Sequence, residues 1–482
     1  MVLAYIFGKG ELTDAYFIAF QIPHTLMYVM GIAIIRVMLS SIFSESIALK
    51  RTRELSALFS TIFNSTFAMT LIISIIGIWQ MPKIISLLPF TFNNASFDMT
   101  VLLARILFPL IITLGLSDYL GATLYAFRNF FMPGFSLIIA NVCIIISLIF
   151  FADRWSILSL AYGTAVGFFL AFSIQFFYII KTKIQYKPLT FNINNPSFLS
   201  FLRKSLPLLL ITSFGQISIL ISYIIALDLG EGMASALSYA GKVNEISVNL
   251  FVLPLLTVLL PELARYKAVN NIDLLKSRIR FGAEVIAVII MFCVTFLVIF
   301  HMEVISVLFQ RGEFTASDAS LTSKILLIYM IGLFFHAGYL FFIFIYLGIQ
   351  RTKSLTIIGV ISYTINIILL FILSERYGVY GLACSTSITA FIYCTLLLFT
   401  FKIKYIKFSI FKHGRNLLKI LASGFIVFLL FCFSHSVFIS GAELTTVKTA
   451  LLLTIIGGFG LIIYLVMLQI FQIFTFRNVI IG

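Results

Sequence analysis

Lys242 and Glu245 stand three residues apart in SALSYAGKVNEISVNLF (235–251), so on a helix they share a face and come within ion-pair reach. Such a pair can be self-neutralising, letting a polar helix enter lipid. Alternatively, Lys242 meets an anionic head group while Glu245 holds or tunes it, with the Asn244 and Asn249 amides nearby. Asp14, in FGKGELTDAYFIAFQIP (7–23), poses a similar question, because an acid in a lipid-embedded helix is costly unless it faces protein, water or a cation. Thr13 and Asp14 also sit where a helix begins, and their oxygens could cap free backbone N–H groups there. Asp118 falls about mid-span in LGLSDYLGAT (114–123), where no cap is available, and is expected to face a hydrated interior. Arg36 either snorkels to the inner interface or lines a cavity; Arg105 and Lys324, near outer helix ends, are expected to snorkel.

These polar groups form no catalytic constellation. His24, His301, His336, His413 and His435 are scattered without metal-ligand partners at i+3 or i+4, and no P-loop, GxSxG or hydrolytic acid pair is present. The five cysteines (Cys143, Cys293, Cys384, Cys394, Cys432) lie inside apolar runs with no CxxC spacing, as packing residues do. An ATP-driven pump or membrane hydrolase is unsupported, and neither a metal nor an organic cofactor is implied.

The elements that must position these residues follow from composition. With 482 residues, 61% hydrophobic and 11% charged, and a mean hydropathy of +1.12, the chain is expected to be an all-α polytopic membrane protein. Apolar runs of about 20 residues exclude a β-barrel. The net charge of +15 is read against topology, since cytoplasmic loops collect Lys and Arg, and no separate basic domain exists to bind nucleic acid. Hydropathy predicts spans at about 14–44, 56–80, 98–127, 131–152, 155–181, 200–227, 232–262, 280–309, 317–349, 353–374, 378–401, 416–439 and 447–475. That is thirteen full helices; the stub 1–8 is too short to span and reads as the remnant of a first helix. No cleavable signal peptide is visible in MVLAYIFGKG.

Basic residues gather on alternate connections, among them Lys50, Arg51 and Arg53, then Lys181 to Lys204, Arg265 to Arg280, and Lys402 to Lys419. The positive-inside rule makes these cytoplasmic, which puts the C-terminus inside and Asp14 near the outer mouth of its helix. Weak internal matches recur at one spacing: DAYFIAFQI (14–22) with SALSYAGKV (235–243), ISLL (85–88) with ISVL (305–308), ARIL (104–107) with SKIL (323–326), and LAYGT (160–164) with LACST (382–386). An offset near 220 residues spans six helices, so the halves share a parallel topology: an N-terminal lobe over 1–190, a C-terminal lobe over 191–405, and a C-terminal helix pair over 406–482. Such repeats place a substrate path at the lobe interface and imply alternating access. Pro23, Gly31, Pro109, Gly115, Pro207, Pro254 and Pro261 interrupt the spans, as hinges around a path or as packing kinks.

FGKGELTDAYFIAFQIP resembles the start of the second helix in the MurJ (MviN) family of lipid II flippases, within the MOP exporter superfamily, where an FG-x-G-x-x-x-DA-[FY]-x-x-A-x-x-[IL]-P run recurs. LFQRGEFTASDASLTSKILLIYMIGL (308–333) and LLPELAR (259–265) also resemble that family, and the likeness extends over nearly the whole chain. The resemblance implies a V-shaped pair of lobes around a cationic cavity, with the last two helices forming a groove for a polyprenyl tail. It matches Asp14 to the family's second-helix acid, Lys242 to a cavity arginine and Glu245 to the acid after it. Met27 stands where an arginine follows the family's proline, MGIAIIRVMLSS (30–41) replaces the usual continuation, and the arginine-bearing first helix is nearly all missing. Lysine for arginine also loses bidentate phosphate geometry. SFGQISILISYIIA (213–226) and IGVISYTINIILLF (358–371) hold no carboxylate for the sodium site some members have. The implied function is non-enzymatic translocation of lipid II from the inner to the outer leaflet of the bacterial cytoplasmic membrane, driven by the membrane potential or an ion gradient. Implied partners are lipid II or a similar polyprenyl-pyrophosphate-linked glycan, the bilayer and cell-wall synthesis proteins. The alternatives are a flippase for another undecaprenyl-pyrophosphate-linked glycan and a transport-inactive membrane scaffold.

Overall fold

Inside a bilayer a helix satisfies its own backbone donors and acceptors, and the apolar runs among the described residues form helices. The structure, a computed structural model, describes residues 1–31, 43, 52–88, 94–181, 184, 186–188, 190, 196–404, 415–439 and 445–472. Arg36 lies outside the described residues. In order, the helices are α1 (Val2–Phe7), α2 (Glu11–Val29), α3 (Thr52–Ser86), α4 (Asn94–Leu107), α5 (Leu110–Ala126), α6 (Phe131–Trp155), α7 (Leu158–Ile180), α8 (Pro196–Asp228) and α9 (Met233–Phe251). They continue as α10 (Leu253–Ala268), α11 (Ile272–Ile299), α12 (His301–Phe309), α13 (Ala316–Gly348), α14 (Thr352–Tyr377), α15 (Val379–Lys404), α16 (Arg415–Phe438) and α17 (Thr446–Ile470). Among the described residues 11 helices are long and apolar enough to cross a membrane, and α9 with α10 makes a further span bent by 42°. The chain is an all-α polytopic membrane protein.

Three expected spans are broken. Pro109, which cannot donate a backbone hydrogen bond, separates α4 from α5, and Pro254 opens α10 beside the 42° bend. The third break lies at Phe300, between α11 and α12, where the His301 ring Nδ1 is 2.9 Å from the Val298 carbonyl. Pro23, Pro207 and Pro261 remain inside continuous helices.

The chain divides into two compact units, Val2–Ser235 and Ala236–Gly482. In the first, α6 and α7 form a tight antiparallel pair, α2 packs on α4 and α8, and α3 packs on α4 and α5. One core gathers Phe59, Phe63 and Tyr119, whose hydroxyl donates to the Phe59 carbonyl at 2.8 Å. In the second unit α13 and α14 pack on α15, while α11 packs on α13 and α16. The last two helices are fastened to this unit through Phe300, Phe431, Ile456 and Tyr464. Polar ties reinforce the apolar contact. Tyr464 donates to the Val288 carbonyl at 3.1 Å, Asn416 donates to Glu284 at 2.8 Å, and the His435 ring is 2.9 Å from Glu303.

Candidate functional site

Asp14 is fixed by the turn before α2. Gly8 takes φ +58°, a conformation that favours glycine, and the Asp14 N–H donates to the Gly10 carbonyl at 3.0 Å. α2 begins after Gly10 without a side-chain cap, so neither Thr13 nor Asp14 caps its own helix. The Asp14 carboxylate instead caps α9: Oδ2 accepts from the Gly232 N–H and Oδ1 from the Ser235 N–H, both at 2.6 Å. Gly232 precedes the helix and has no side-chain oxygen to serve its first turn, so the acid from α2 supplies the missing acceptors. Its charge also lies at the positive end of the helix dipole. Gly232 has φ +76°, and the Lys9 side chain lies where its Cβ would be, so this turn tolerates little else than glycine. Asp14 itself is only 2% exposed.

Further along α9, Lys242 and Glu245 pair at 3.0 Å between Nζ and Oε2. Their side chains are 62% and 55% exposed, so the pair contributes little to stability and leaves the ammonium accessible. Asn244 lies on the other side of the helix; it is buried, and its side-chain oxygen has no hydrogen-bond partner among the described residues. Asp118 is half-buried on α5, beside the fully buried Tyr119. The structure therefore joins Lys242 to Glu245, sets Asn244 behind them, and keeps Asp14 and Asp118 on different helices of the first unit. Arg105 donates through Nε to the Ile78 carbonyl at 3.3 Å, tying α4 to α3, while Lys324 is exposed.

Two partners of Asp14 escape a reading for chemistry, since Gly232 and Ser235 hold it through backbone N–H groups, which no residue type signals. The repeat carries a signal nonetheless, because its register pairs residue 14 with residue 235, the two that are hydrogen-bonded. Two further polar contacts between helices join neutral groups: Gln21 Nε2 donates to Gln216 at 3.4 Å, and Thr389 donates to Asn366 at 3.0 Å. Among the described residues no three His, Cys, Asp or Glu side chains converge as a metal site would require.

The family description "Lipid II flippase MurJ" matches residues 3–457. The chain belongs to the MurJ family. A probable lipid II flippase MurJ from Helicobacter pylori (strain ATCC 700392 / 26695) is 24% identical over 457 residues, covering 89% of this chain and 95% of that one. The corresponding protein of Buchnera aphidicola subsp. Acyrthosiphon pisum is 30% identical over 339 residues, 69% of this chain and 66% of its own. Among solved structures, a lipid II flippase MurJ in an inward closed conformation superimposes with a TM-score of 0.79 at 26% identity, covering 99% of this chain and 95% of that one. An inward-facing multidrug-resistance MATE transporter of the MOP superfamily shares the fold alone, with a TM-score of 0.65 at 13% identity over 88% of this chain and 95% of that one. Within the MurJ frame, Met27 is not a cavity residue: it is 3% exposed and packs in the core with Phe59 and Tyr119.

Proposed function

We propose that this MurJ-family chain translocates lipid II from the inner to the outer leaflet by alternating access, without chemical turnover. The observation that carries the reading is Lys242. It lies nine residues after Met233 (242 − 233 = 9), which puts it about 14 Å along α9, near the middle of a hydrocarbon core about 30 Å thick. Transporters built from repeats bind substrate at that depth. A cation there is costly without a function, and an accessible ammonium with one carboxylate neighbour suits a pyrophosphate. Residues 1–190 and 191–405 act as the two lobes, with 406–482 serving the polyprenyl tail. Asp14 governs the outer opening through its hold on α9, while Asp118, Asn244 and Arg36 complete the polar path. The membrane potential or an ion gradient supplies the energy, since each charge moved is worth about 2.3 kcal/mol per 100 mV. The protein resides in the bacterial cytoplasmic membrane with its C-terminus inside, alongside the cell-wall synthesis proteins that consume its cargo.

A second reading, another undecaprenyl-pyrophosphate-linked glycan, is favoured by Met27, whose burial leaves no cation at that position. Expression of the chain in a bacterium depleted of its own lipid II flippase separates the two. Restored growth is expected; failure with the protein present in the membrane removes the lipid II assignment. Lys242→Gln should abolish rescue, and full rescue by that variant would return the Lys242–Glu245 pair to a role in helix insertion.

A further inference from the structure

The first two turns of α9 are buried from Ala234 to Ala240. Between Ala234 and Gly241 the side chains are Ala, Ser or Gly except at Leu237 and Tyr239, and a Cβ at Gly241 would meet nothing within 4 Å. Tyr239 is the largest side chain of this stretch and lies one turn before Lys242. It is 4% exposed and sits between two phenylalanines: its ring centroid is 5.0 Å from Phe309 and 5.5 Å from Phe314, the latter edge-on at 85°. Phe309 and Phe314 are 6.0 Å apart, which closes the triangle.

The turn that presents Phe314 is held on all sides. Arg311 donates from its side chain to the Val307 carbonyl at 2.9 Å, capping the end of α12. Gly312 takes φ +58°, and the Phe314 N–H donates to the Arg311 carbonyl at 3.2 Å. Thr315 and Asp318 then form a reciprocal capping box at the start of α13, with the Thr315 N–H donating to Asp318 at 2.9 Å. With its backbone fixed this way, the turn seats Phe314 at 1% exposure.

We propose that Phe309 and Phe314 are positioning residues for Lys242: by clasping Tyr239 they set the rotation of α9, and so aim the Lys242 ammonium at the substrate's pyrophosphate. The substrate part rests on the function proposed above. Residues on successive turns of one helix rotate together, and Lys242 follows Tyr239 by three positions, so a clasp on the ring fixes the direction of the cation.

The test is a double-mutant cycle in the full chain, purified in detergent, with lipid II binding followed by thermophoresis. Phe314→Ala is expected to weaken binding about tenfold and to add less than about twofold in a Lys242→Gln background, because residues acting through one another are non-additive. An undiminished tenfold loss on top of Lys242→Gln would overturn the proposal. Should Phe314→Ala fail to fold, Phe314→Leu carries the same cycle. Absence of lipid II binding by the wild type would sink the functional reading instead. The clasp is then decided by hydrogen exchange of amides 240–246, which the substitution at Phe314 must accelerate; unchanged protection overturns it.

Discussion

At the residue scale, Asp14 shows how a carboxylate in an apolar helix can be accommodated by backbone donors of another helix. Two backbone N–H donors at 2.6 Å and the dipole of α9 stabilise the charge while the side chain is buried. Asp14→Asn keeps one acceptor oxygen and loses the other together with the charge. Hydrogen bonds to charged groups are worth about 1.5–3 kcal/mol, so a loss of about 2 kcal/mol is expected, read as a lower thermal midpoint of the full chain in detergent. Asp14→Ala, which loses both bonds, should fall further; a midpoint unchanged in both variants would remove the cap from the account. Sequence spacing alone establishes the other close pair, since Lys242 and Glu245 at i, i+3 must meet on a helix. It cannot choose between a cap on α2 and a cap on α9 for Asp14, because the second requires knowing that a turn more than 200 residues away ends against it.

At the element scale, the tightest contact lies between α6 and α7, where backbones approach through Gly163 and Gly167. A Cβ on Gly167 would stand 2.6 Å from the Ala140 carbonyl oxygen and 3.1 Å from its Cα, so backbone would have to move. The G-x-x-x-G spacing of the two glycines is a legible sign of such an approach in a membrane helix. Gly167→Ala should destabilise the protein by about 1–3 kcal/mol through overpacking. Gly134→Ala is the matching control, because nothing lies within 4 Å of its Cβ and alanine is the better helix former inside α6. Thermal shift of the two purified variants checks the contrast, and equal midpoints would contradict it. Helix existence and approximate bounds were readable from hydropathy, as with 353–374 against Thr352–Tyr377. The break at Pro109 was signalled by the proline itself, whereas the one at Phe300 was not, because a window about 19 residues wide averages over a one-residue interruption.

At the scale of the whole molecule, the repeat and the loop charges together specify an orientation that bears directly on transport. The positive-inside rule predicts Lys181 to Lys204 and Arg265 to Arg280 to be cytoplasmic, which would turn Gly230–Gly232 and the start of α9 outward. On that orientation Asp14 would hold the outer end of the helix that carries Lys242. The same rule predicts the C-terminus on the cytoplasmic side after α16 and α17. Green fluorescent protein fused after Gly482 should therefore fluoresce, and alkaline phosphatase fused there should be inactive. Phosphatase inserted in the Trp155–Ile157 turn, the outer connection between α6 and α7, should be active. The reverse pattern would put Asp14 at the inner face, where an acid holding α9 would control substrate entry rather than release. Membership of the MurJ family would survive that result, because the fold is the same in either orientation; the direction of transport assigned to the Lys242 site would not.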